Sequence, residues 1–119
     1  MANRTSAKFK FVRGVTFERT FRYKDPNEDP IDLTGSTVAF GYRRRDEEEA
    51  TLEIESGDAA TDNGSLITIT DAAAGEITLK ITDEETDAIR FDCGYWWLNL
   101  LTSGDIRRIG HGELEITNP

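Results

Sequence analysis

No disulfide can form within this chain, because Cys93 is its one cysteine. A single thiol fits a protein assembled in a reducing compartment. Long apolar runs are missing too. No segment approaches the roughly 20 apolar residues that span a bilayer. The opening residues, MANRTSAKFKFVRG, hold no apolar stretch of signal-peptide length. The expectation is a protein without signal peptide or transmembrane segment, made and kept in the cytoplasm or built into something assembled there. Basic charge is scarce: 14 Lys and Arg face 23 Asp and Glu, a formal net charge of −9. So acidic a chain has no electrostatic footprint for phosphate backbones, which argues against nucleic acid and anionic membrane as partners.

The residues of catalysis are as thin. His111 is the sole histidine. It lies between Gly110 and Gly112, and the sequence identifies no partner that would make it a general base or metal ligand. A partly exposed strand-edge histidine is the plainer reading. Cys93 follows Asp92, the wrong charge for an activated thiolate, and reads as a small buried hydrophobe. Asp25, Asn27 and Asp29 have the spacing that opens an EF-hand loop, but Pro30 and Ser36 stand where the glycine and the bidentate glutamate belong. An acidic hairpin turn accounts for them. Glu47, Glu48 and Glu49 form a run, and Glu53, Glu55, Glu113 and Glu115 fall on outward strand positions, so a paired-carboxylate hydrolase has no geometry to rest on. There is no phosphate-cradling glycine loop and no nucleophile elbow. The sequence points to no enzyme, no cofactor and no metal.

What is present is alternation. In KFKFV, Phe9 and Phe11 share a face; in VTFERTFRY, Val15, Phe17, Phe21 and Tyr23 do, interrupted by Arg19. Period two marks strands. KDPNEDP is a turn, and Ile31 and Leu33 in IDLTGS form a short apolar anchor. TVAFGYRRR aligns Val38, Phe40 and Tyr42, and TLEIES aligns Leu52 and Ile54. Asn63-Gly64 marks a tight turn. LITIT and EITLKIT are two further strands, the second pointing Ile77, Leu79 and Ile81 inward. TDEETDAIR is the one helical signal: Thr82 and Glu85 have capping-box spacing, with Ala88 and Ile89 available to the core. IRRIGHGELEIT closes the pattern with Leu114 and Ile116. Seven to nine short strands with turns every ten or so residues predict one all-β domain over residues 1–119, an antiparallel sandwich or small barrel with one helical turn.

One strand breaks the alternation. GYWWLNLL, residues 94–101, holds both tryptophans. Tyr95, Trp97, Asn99 and Leu101 fall on one face; Trp96, Leu98 and Leu100 fall on the other. Burying a large aromatic is worth about 1.5–3 kcal/mol, and two adjacent exposed ones would make an association-prone patch. Either this chain covers Tyr95 and Trp97, or a partner does, since interfaces enrich both residue types. Arg19 is free to reach a partner carboxylate or to pair internally. RRRDEEE, residues 43–49, reads as a hairpin tip or a charged contact patch. Tyr95, Trp97, Arg19, Arg43, Arg44 and Arg45 are the candidate interface residues.

The order of features resembles a known family. It comprises GVTFERTFRYKDPNEDPIDLTGSTVAFGYR, an acidic linker, AAAGEITLKITDEETDAI, and CGYWWLNLLTSGDIRRIGHGELEIT. This is similar to small bacteriophage tail and baseplate structural proteins, including the N-terminal module of baseplate upper proteins of the BppU type. PIDLTG, Pro30 to Gly35, is its best single cue, and the resemblance spans nearly the whole chain. It implies an immunoglobulin-like β-sandwich in the virion, without an active site, holding other virion proteins and copies of itself as a homo-oligomer. Baseplate upper proteins of that type continue into a helical, receptor-facing region, so the likeness is to the anchoring module alone. The alternative from a different class is a carbohydrate-binding β-sandwich module that stacks Tyr and Trp on sugar rings. Such a site wants polar groups around its aromatic platform, whereas Tyr95 and Trp97 lie in an otherwise apolar strand.

Overall fold

The computed structural model describes residues 5–119. It is a two-sheet sandwich with nine strands and one helical turn among those residues. The strands are β1 (Thr5–Ser6), β2 (Phe9–Val12), β3 (Phe17–Arg22), β4 (Thr37–Arg44), β5 (Leu52–Glu55), β6 (Leu66–Asp71), β7 (Glu76–Ile81), β8 (Cys93–Thr102) and β9 (Asp105–Thr117). The helix α1 (Asp83–Asp87) lies between β7 and β8. The smaller sheet runs β3-β7-β6 and the larger β1-β9-β8-β4-β5, with β2 also on β9.

The alternation read from sequence becomes the core. Phe9, Phe11, Val38, Phe40, Tyr42, Trp96, Leu98, Leu114 and Ile116 from the larger sheet meet Phe21, Ile67, Ile77, Leu79 and Ile81 from the smaller one, all buried. Each fully buried branched aliphatic is worth about 1.5–3 kcal/mol. Burial pushes the Tyr42 phenol well above the ordinary tyrosine range, and the Glu85 carboxylate adds to it, so the ring stays neutral.

Four expectations need correcting. Pairing is not antiparallel throughout: β1 and β2 both run parallel to β9, Thr5 opposite Gly110 and Phe9 opposite Leu114. Val15 precedes its strand and is 49% exposed. Ala88 is exposed, because a helix of 5 residues turns Thr86 and Ile89 inward and leaves the two positions between them outside. The capping box is half formed. The Thr82 hydroxyl accepts from the Glu85 N–H, but the Ser65 hydroxyl accepts from the Thr82 N–H, while the Glu85 carboxylate accepts from Thr61 and Asn63. In PIDLTG, the Thr34 hydroxyl and N–H donate to Asp32 and hold that carboxyl below the usual range. The turn therefore gains from an ionised Asp32 and loses that gain as pH falls through its depressed pKa.

Two features of β9 shape the larger sheet. Leu98 pairs with Gly110 while Asn99 pairs with Arg108, so Ile109 is an extra, buried residue in a bulge. A bulge re-aims the side chains beyond it. Counting back in twos from Leu114 puts Arg108 in the core; the bulge moves it to the outer face beside Asn99. Farther on, Gly112 faces the indole of Trp96, whose Nε1–H donates to the Ala7 carbonyl at 2.9 Å. That carbonyl belongs to the break between β1 and β2, turned inward over Gly112.

Candidate functional site

The outer face of the larger sheet carries the feature that core packing does not explain. Trp96, Leu98 and Leu100 point into the sandwich, so Tyr95, Trp97, Asn99 and Leu101 point out and are half-buried. Their cover comes from this chain, and it is cationic. The Arg43 guanidinium is over the Tyr95 ring at 4.9 Å from its centroid, and that of Arg45 at 5.9 Å. Arg108 is over Trp97 at 6.0 Å. Each such contact at an exposed site contributes about 0.5–1 kcal/mol.

Trp97 is seated by a glycine. It pairs with Gly41 on β4, and a Cβ at position 41 would meet Trp97 Cε2 at 2.6 Å and Nε1 at 2.9 Å. Only a residue without a side chain lets the indole lie flat on the sheet there. Substituting Gly41→Ala is expected to lift the indole off its seat. The core on the opposite face is untouched, so overpacking should cost only about 1–3 kcal/mol. Acrylamide should quench the outer tryptophan more strongly in this variant, while Trp96 stays shielded. An unchanged quenching profile would rule out the seating role.

The three guanidinium groups share a second property. Arg13, Arg22, Arg44 and Arg107 each pair with a carboxylate. Arg43 donates instead to the backbone carbonyls of Arg44, Arg45 and Glu47, and Arg108 donates to the Asn99 amide oxygen at 2.6 Å. Arg45 lies over Tyr95 and makes no side-chain hydrogen bond among the described residues. None of the three has a carboxylate partner among the described residues, in a chain with 23 acids. Beside them runs an open groove of about 650 Å³, bordered by Ser6, Lys8, His111 and Glu113.

Of the six candidate residues, the fold brings together Tyr95, Trp97, Arg43 and Arg45. Arg44 points elsewhere and pairs with Asp46 at 2.9 Å and Glu47 at 3.9 Å. Arg19 lies on the smaller sheet, its guanidinium 5.4 Å from the Phe9 ring centroid, an internal contact. Arg108 was not foreseen, nor were the groove positions of Lys8 and His111. His111 is exposed on the outer face of β9, between β8 and β1, rather than at a sheet edge. The signal for Arg108 was available: an arginine at a position that period two assigns to the core implies a bulge.

Cys93 corrects another expectation. It is exposed, not buried. It shares parity with Tyr95 and Trp97, and the register of β8 puts all three outside. Ellman's reagent should therefore titrate one thiol per chain in the native protein within minutes; a thiol that appears only in denaturant would contradict the placement. The Asp25 carboxylate accepts from the N–H groups of Asn27 and Asp29, closing the turn under the Lys24–Pro30 bridge in the connection from β3 to β4. Among the described residues no group of three His, Cys, Asp or Glu side chains is placed to hold a metal ion. No helix there is long and apolar enough to cross a membrane.

No protein-family model matches this chain, and no curated protein matches it significantly. What the outer face can do therefore rests on its chemistry. Guanidinium forks held over planar aromatic groups can hydrogen-bond a partner surface.

Proposed function

We propose that this protein is a non-enzymatic structural component of a bacteriophage particle. It docks other virion proteins, and copies of itself, through the outer face of the larger sheet. The immunoglobulin-like character implied by the resemblance belongs to the same proposal. The observation that carries the reading is the cluster of Tyr95, Trp97, Arg43, Arg45 and Arg108, in which three cations lack carboxylates. Aromatic residues and arginine are the types that interfaces concentrate, and their energy comes from being desolvated by a partner.

The carbohydrate reading gains one observation and loses another. Asn99, His111 and Glu113 surround the rings with polar groups, contrary to the apolar setting expected from the strand alone. Yet stacking needs an open ring face, and guanidinium groups already stand over Tyr95 and Trp97. The protein partner is favoured on that ground.

Mass spectrometry of density-gradient-purified particles from a producing culture tests the assignment. The chain is expected at a fixed copy number. A Tyr95→Ser, Trp97→Ser variant is expected to fold and to be left out of particles. Purified particles devoid of the chain would end the proposal, and so would full incorporation of that variant.

A further inference from the structure

We propose that the outer face of the larger sheet receives the acidic β4–β5 tip of a second copy of this chain, in a reciprocal two-fold pair. This rests on the reading of that face as a docking surface and names its occupant.

Charge complementarity is the first argument. Arg43, Arg45 and Arg108 present guanidinium forks over aromatic rings, with no carboxylate taken. A guanidinium in that state is matched by a carboxylate, which it binds through two parallel hydrogen bonds. The chain itself supplies such carboxylates. Asp46 to Glu49 are four consecutive acids in the exposed connection between β4 and β5. Arg44 takes Asp46 and Glu47, which leaves Glu48 and Glu49 exposed and without a basic partner among the described residues.

Placement is the second argument. Arg43 and Arg45 lead directly from β4 into that acidic tip. Tyr95 and Arg43 thus lie at the same end of the sheet as the acidic tip, with Trp97 and Arg108 farther along the same face. Within a single chain they do not meet: Arg43 holds the backbone carbonyls of the turn, and neither Glu48 nor Glu49 pairs with any of the three arginines. A surface bearing both charges side by side is complementary to itself under a two-fold axis, because the tip of each copy then meets the arginines of the other. That arrangement closes at two copies.

A charge-exchange experiment on the full chain tests this. Light scattering after size exclusion, at hundreds of micromolar, is expected to give twice the chain mass for the wild type. R45E/R108E and E48R/E49R are each expected to run as monomers, with association weakened at least tenfold. All four positions are exposed, and circular dichroism confirms the fold of each variant before its mass is compared. Mixing the two variants in equal amounts should restore the double mass, since each tip then meets a groove of opposite charge. The proposal is overturned by a monomeric wild type, by a dimer indifferent to both reversals, or by a mixture that stays monomeric. A monomer that binds an acidic oligosaccharide through Arg45 and Arg108 also overturns it. Failure here is distinct from failure of the structural assignment. Particles that contain the chain, and exclude the Tyr95 and Trp97 variant, keep that assignment whatever the dimer does. A charge-dependent dimer absent from particles keeps this inference and removes the other.

Discussion

Replacing Trp96 with alanine is expected to destabilise the protein by about 3–5 kcal/mol, the range for deleting a buried large aromatic. Several terms place it at the upper end. Trp96 is 1% exposed and stacks on Phe9 at a centroid distance of 4.0 Å, the two rings nearly parallel. Phe21 and Phe40 pack on it at 6.1 and 6.2 Å. Such pairs contribute about 0.5–1.5 kcal/mol beyond area burial. Its indole N–H also satisfies the Ala7 carbonyl, which the substitution orphans. Because Gly110 and Gly112 on β9 line the indole, that wall of the cavity has no side chain to relax into it. Single domains are stable by only about 5–15 kcal/mol in total. The change should therefore bring the urea midpoint down steeply and weaken the near-UV circular dichroism. A loss under about 1.5 kcal/mol would show that Trp96 is not the centre of the core. The matching change at Trp97 should cost far less stability, since that ring is half-buried on the outer face.

This contrast between neighbours was legible in the sequence, and the limits of the legible part have physical causes. Strand parity is local and strict, so Ile77, Leu79 and Ile81, or Val38, Phe40 and Tyr42, declare their shared face without tertiary information. The same parity assigned Cys93 to the outer face; the frequent burial of cysteine as a residue type outweighed it and gave the wrong expectation. Arg108 was hidden by a bulge, which inserts one residue and reverses parity beyond it. The parallel pairing of β1 and β2 with β9 was hidden for another reason. Alternation shows which side of a strand is wet, but not which distant strand lies beside it. Phe9 and Leu114, partners 105 positions apart, carry no local mark of each other. Four of the six candidate residues met because Tyr95 and Trp97 lie on β8 beside β4, with Arg43 directly opposite Tyr95 and Arg45 just past the end of β4. Arg44 has the opposite parity, and Arg19 belongs to the other sheet.

Gly112→Ala should be the most damaging of the small substitutions. A Cβ there would strike the Ala7 carbonyl group, with the carbonyl carbon at 2.8 Å and Trp96 Nε1 at 2.8 Å. Unlike Gly41, whose obstacle is a half-exposed ring that can swing outward, Gly112 is walled by backbone and by a buried indole that cannot yield cheaply. Two outcomes are open to the chain. The Ala7 carbonyl withdraws, breaking its hydrogen bond to Trp96 and pulling β1 and β2 off β9, or the indole shifts into Phe9 and Phe40. Overpacking costs about 1–3 kcal/mol and a lost, partly buried hydrogen bond about 1–3 kcal/mol. Against these, the reduced freedom of alanine in the unfolded chain returns about 0.4–1 kcal/mol. The net expectation is a loss of about 2–4 kcal/mol, with faster amide exchange along β1 and β2. The mechanism can be separated from mere crowding by a double-mutant cycle with Trp96→Phe, which removes the indole N–H and opens space beside position 112. If both changes act through the Ala7 carbonyl, the double variant loses less than the sum of the two, by about 0.5–3 kcal/mol, as for residues sharing one partner. Strict additivity would mean that the close approach of Ala7, Trp96 and Gly112 is not the element that fixes the N-terminal strands to the sheet.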